Sequence, residues 1–156
     1  MDAMTILKRC REAKADISRI QQRIDQWHDV LTGLGGIQVN PDGGSRGTGD
    51  MDRYGRIMGD IDLLERERDA RKEAYEAERI AACALVGMVP DLEGKILYDY
   101  YVRRMDTPEI ARKEKYTAGY VRKTKRAAEQ LLAMISPERV ISTLPAWYLR
   151  KEGREK

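Results

Sequence analysis

Thr107 to Arg126 reads TPEIARKEKYTAGYVRKTKR and gathers the residues best equipped for chemistry. That chemistry is electrostatic recognition: guanidinium and ammonium groups bind phosphate oxygens and the acceptor edge of guanine. Thr117 is a helix cap, its oxygen accepting from an amide in the first turn of a helix that begins at Ala118. Helical geometry then turns Thr117, Ala118, Gly119, Arg122, Lys123 and Arg126 away from the apolar trio Ile110, Ala111 and Val121 and toward a major groove. Arg122 has the fork for a bidentate contact with guanine, and Lys123 and Arg126 suit bases or phosphates. Ala118 and Gly119 permit close approach. Lys113, Lys115 and Lys125 are expected at phosphates, which supply affinity without sequence choice.

Other chemistries lack their parts. Cys10 and Cys83 occupy apolar helical positions and read as buried thiols in a reducing compartment. One His and two Cys do not make a structural zinc site, and His28 reads as an ordinary surface residue beside Trp27. Asp60, Asp62, Glu65, Glu67 and Asp69 lack a companion Glu-x-x-His, and each has a basic neighbour within a turn. GLGGIQVNPDGGSRGTG holds seven of the 13 glycines, yet contains neither GxxxxGK[ST] nor GxGxxG, so it reads as a connector. With no nucleophile–base pair, metal set or cofactor loop, the sequence predicts no enzyme and no cofactor.

The elements that must position the cations follow from periodicity. Pro90 and Asp91 start a helix whose apolar face carries Leu92, Ile96, Leu97, Tyr100 and Tyr101 up to Val102. Met105 and Asp106 form a turn. Thr107 is expected as the next N-cap, with Pro108 at the first helical position and Glu109 near the N-terminus, in a helix ending near Glu114. The helix from Ala118 should reach about Ile135, with Val121, Ala128, Leu131, Leu132 and Ile135 apolar. Residues 90–135 thus form a helix-turn-helix module, with Ala111 at the close contact and Val121 as the plug.

Upstream, Ala3, Ile6, Cys10, Ala13, Ile17, Ile20, Ile24, Trp27, Leu31 and Leu34 alternate spacings of 3 and 4, which predicts one helix over 2–34. A second helix, 51–88, begins its seam at Tyr54, Ile57, Ile61 and Leu64, then passes to Ala70, Ala74, Ala77, Ala81, Ala84 and Met88. Residues 1–89 therefore read as a helical hairpin or coiled coil, joined by a glycine-rich loop at 35–50. Residues 136–156 read as a C-terminal arm whose Trp147 and Tyr148 pack on their own or a neighbouring subunit, with stacking on nucleic acid or wedging into a partner as the alternatives, and with 151–156 frayed. The expected class is all-α. Charged residues at 35% against aromatics at 6% favour amphipathic helices over a large globular core. Residues 1–90 hold 14 Lys or Arg against 16 Asp or Glu, and residues 91–156 hold 15 against 10, which places an anionic partner on the second part. No apolar run of 18 residues and no signal peptide is present, which predicts a cytoplasmic protein without a membrane partner.

Ile96, Leu97, Tyr100, Tyr101, Val102, Thr107, Ile110, Ala111, Tyr116, Thr117, Val121 and Ala128 together resemble region 4 of bacterial sigma factors. The likeness is to phage-encoded regulators that carry such a region behind a helical N-terminal part, the RinA/ArpU late-operon activator type. It implies sequence-specific binding of double-stranded DNA, transcription control in a bacterial host cell, and, as a weaker implication, contact with RNA polymerase. Lys115 stands at the turn position commonly held by glycine, and Thr124 where a bulky aliphatic is usual. One small module contacts few base pairs, so a homodimer through the long helices is expected. Two rival readings are a phage small terminase subunit that recognises packaging DNA and a non-DNA-binding structural or interaction protein whose degenerate helix-turn-helix binds protein. Terminase subunits usually place the helix-turn-helix ahead of the oligomerisation helices, the reverse of the order here.

Overall fold

The 3–4 periodicity at the start of the chain produces one helix, α1 (Ala3–Ile37), whose first turn is capped by Asp2 accepting from the Met4 amide at 3.4 Å. The computed structural model describes residues 2–37 and 47–154. Among them the chain is all-α, without a strand. After α1 come α2 (Gly47–Val86), α3 (Asp91–Leu97), a π-helical turn (Tyr98–Val102), α4 (Thr107–Glu114), α5 (Ala118–Ala133), α6 (Pro137–Thr143) and α7 (Ala146–Arg154). The expected connector 35–50 is helical at 35–37 and 47–50, and its centre lies outside the described residues.

Contacts divide the chain into two compact units, Met1–Ala15 with Glu73–Lys156, and Asp16–Lys72. The divisions expected at 89/90 and 135/136 both fall within the first. Each long helix contributes to both units. Periodicity identifies which face of a helix is buried but not which partner buries it.

In the unit Asp16–Lys72, Ile20, Ile24 and Leu31 of α1 meet Ile57, Ile61 and Leu64 of α2, flanked by half-buried Trp27 and Tyr54. Arg68 donates to Gln21 at 2.9 Å, and Arg71 reaches Asp16 at 3.4 Å. Gln21 lies after Asp16 and Arg68 before Arg71, so the two segments run antiparallel. Arg68, at the end of the Tyr54–Leu64 pattern, is half-buried, with its guanidinium bound to Gln21.

The other unit encloses the larger core. Ile6, Leu7 and Cys10 of α1, with Ala81, Ala82, Leu85 and Val86 of α2, meet Leu97, Tyr101, Val102, Ala128, Leu132, Val140 and Leu144. Burial pushes the Cys10 thiol up to about 12, as expected for an inert core cysteine. The alanine stripe expected on α2 is corrected: Ala70 and Ala74 are exposed, and Ala81 alone of its members is fully buried. Leu85 and Val86 carry more apolar area than alanine methyls, so burying their side of the helix removes more surface from water. Helix α3 follows the end of α2 so closely that a Cβ on Gly94, within α3, would lie 2.2 Å from the Val89 carbonyl oxygen, so only glycine fits.

The C-terminal segment is part of this core. Tyr148 is fully buried and donates its hydroxyl to Glu78 at 2.6 Å, while Glu152 pairs with Arg9 at 2.8 Å. Burial also raises the Tyr148 phenol well above its ordinary range. The expected fraying of 151–156 is corrected for 151–154, which continue α7; residues 155 and 156 lie outside the described residues.

Candidate nucleic-acid interface

A small apolar nucleus holds α4 and α5 together. Ile96, Ile110 and Val121 are fully sequestered, Ala111 is 6% exposed, and Leu92, Tyr100, Met105 and Ala118 close around them. Alanine at 111 allows the helices to approach, and the side chain of Val121 fills the space between them. Helix α4 is capped by Asp106, whose carboxylate accepts from the Glu109 amide at 2.9 Å. This corrects the expectation of Thr107 as cap: Asp106 has the extended backbone of a cap and Thr107 is already helical. At the other end Lys115 adopts the left-handed conformation, φ 62° and ψ 41°. The turn therefore keeps a geometry that glycine adopts more cheaply, at a cost of about 1–2 kcal/mol for a side chain. Thr117 caps α5 as expected, accepting from the Tyr120 amide at 3.2 Å.

The nine expected contact residues fall into three groups. Gly119, Arg122, Lys123 and Arg126 are exposed on α5, and the three cations have no carboxylate partner among the described residues. A Cβ on Gly119 would meet nothing nearer than the Arg122 guanidinium at 4.0 Å. Packing does not require glycine there, and the open space suits close approach by another molecule. Lys115 and Thr117 are exposed in the turn, and Ala118 is half-buried against the nucleus.

Lys113 and Lys125 are engaged internally. Lys113 Nζ lies 2.8 and 3.0 Å from the two carboxylate oxygens of Asp99, which is only 1% exposed, and 3.6 Å from Glu114. Arg103 approaches the same Asp99 at 3.6 Å. Lys113 is thus the main counter-ion of a buried carboxylate and ties α4 to the π-helical turn. Lys125 sits 4.2 Å over the Tyr100 ring and pairs with Glu129, which also accepts from the Tyr101 hydroxyl at 3.1 Å. Burial raises the Tyr101 phenol, leaving it protonated and able to donate.

The π-helical turn carries further contacts the sequence did not reveal. Arg11 of α1 lies 3.9 Å from the Tyr100 ring centre and donates to the Tyr100 carbonyl, with a longer contact of 3.4 Å to the Met105 carbonyl. The Tyr75 hydroxyl donates to the Val102 carbonyl at 2.9 Å. Backbone acceptors released by the wider turn are thereby satisfied by α1 and α2. An acid inside the apolar run ILYDYYV was the available signal for Asp99. Tyr116 and Tyr120 were also missed: they are 46% and 47% exposed and stack at 4.8 Å between ring centres.

Among the described residues no group of three or more His, Cys, Asp or Glu is placed to hold a metal ion, and no helix is long and apolar enough to cross a membrane. Comparison with protein-family models, with characterised proteins and with solved structures finds no match for this chain.

Proposed function

We propose that the chain is a sequence-specific binder of double-stranded DNA, a transcription regulator of the phage type with a sigma-region-4-like helix-turn-helix. The observation that carries this reading is the Thr117-capped helix α5, which rests on the Ile110–Ala111–Val121 nucleus while Arg122, Lys123 and Arg126 remain exposed beside Gly119, without a carboxylate partner among the described residues. A capped helix that exposes cations beside open space has the shape and charge for a major groove. Lys115 supplies a further phosphate contact from the turn. Lys113 and Lys125 act by positioning, since their charges are used inside the protein. In this reading RNA polymerase is a second partner, and a homodimer through the long helices supplies the second half-site.

The test is selection from a random duplex pool with the full chain, repeated with Arg122→Ala and Lys123→Ala. A selected sequence is expected from the unsubstituted protein. Arg122→Ala should relax one position of it, and Lys123→Ala should weaken binding and flatten its salt dependence. Unchanged binding in both variants refutes α5 as the recognition helix.

A further inference from the structure

Tyr116 and Tyr120 lie at the N-terminal edge of α5, one on each side of the Thr117 cap. A residue just before a cap ordinarily packs on the fourth helical residue, here Val121, as a hydrophobic staple. Val121 is fully buried in the nucleus, and Tyr116 stacks on Tyr120 instead, with 31° between the rings. Two large aromatics are thus left nearly half exposed, and among the described residues neither hydroxyl has a hydrogen-bond partner. Residues 115–128 contain five Lys or Arg and no Asp or Glu, and among the described residues only Lys125 of the five is paired, with Glu129, so the apolar pair lies beside four cations without a carboxylate partner. That surround repels basic partners and favours a polyanion. DNA offers apolar surface within its charge: the thymine C5-methyl groups lining the major groove.

We propose that the Tyr116–Tyr120 pair is a specificity determinant that packs on thymine methyl groups at the edge of the α5 contact. It would give the site a thymine preference at one or two positions that the α5 cations do not read. This inference rests on the DNA-binding reading and adds a base preference to it.

The experiment takes the duplex selected by the full chain and replaces each thymine in turn with deoxyuridine, which removes only the methyl. The unsubstituted protein should lose about fourfold in affinity at each contacted thymine, the value of one buried methyl. Tyr116→Ala and Tyr120→Ala should bind thymine and deoxyuridine duplexes equally, whereas Tyr116→Phe and Tyr120→Phe should keep the discrimination because the ring is retained. Folding of each variant is checked by circular dichroism. Duplex binding with no sensitivity to deoxyuridine, or sensitivity that persists in both alanine variants, overturns the thymine contact and leaves DNA binding intact. Absence of binding to any duplex overturns both readings, as does preferential binding of single strands.

Discussion

Residues 16–72 carry 9 Lys or Arg against 11 Asp or Glu, whereas residues 115–128 carry five Lys or Arg and no acid, Lys125 alone among them pairing with an acid of the described residues, Glu129. In the long helices the charges answer one another: Arg66 lies 2.9 Å from Asp62, and Arg71 reaches both Asp16 and Glu67. On α5 the cations at 122, 123 and 126 face solvent without a carboxylate partner among the described residues. Charge density is therefore a poor guide to binding. A charge balanced within a helical turn has little field left to offer a partner, while an unbalanced cluster keeps it.

Substitutions can break this comparison. The largest effect is expected from Lys113→Ala, which removes the main partner of buried Asp99. Loss of about 3 kcal/mol in stability should appear as a lower denaturant midpoint, at the low end for a broken buried pair because Arg103 remains nearby. A loss below about 0.5 kcal/mol, the level of a surface ion pair, would place Lys113 with the solvent-facing cations instead. Next comes Arg122→Ala, expected to reduce affinity for the selected duplex by about 2 kcal/mol while leaving the denaturant midpoint in place. A fall in stability comparable to the fall in affinity would mean that Arg122 is engaged in the fold.

Two smaller changes sharpen the contrast. Lys115→Gly relieves the left-handed backbone and should raise stability by about 1 kcal/mol, seen as a higher Tm, while binding weakens through loss of one cation. A lower Tm would show that the Lys115 side chain contributes more than its backbone costs. Arg66→Ala in α2 removes one exposed i,i+4 pair and should cost only about 0.4 kcal/mol, with no effect on duplex affinity. A measurable loss of DNA binding there would extend the interface to the long helices.

Much of the fold was legible because it depends on neighbours in sequence. The seam of α1 predicted one continuous helix, Thr117 predicted the start of α5, and the spacing of Ile110, Ala111 and Val121 predicted the nucleus beneath it. The alanine stripe misled because periodicity counts positions without weighing area, and Leu85 and Val86 outweigh Ala70 and Ala74. The cap of α4 was misplaced by one residue because Asp106 and Thr107 are both capable acceptors, and only the backbone distinguishes them. Within the candidate site, the cations were recognisable by type, but their availability was not.

By itself the sequence determined the helical class, the faces of the helices and the concentration of cations after Thr117, because these follow from side-chain chemistry repeated over one or two turns. Tertiary structure decided that α1 and α2 each serve two compact units, that Tyr148 is a core residue, and that Lys113 is the counter-ion of Asp99 while Arg122 has no carboxylate partner among the described residues. Those outcomes depend on contacts between residues distant in sequence or on different helices. A charge is neutralised, or an aromatic ring buried, only by what the fold brings within a few ångströms of it.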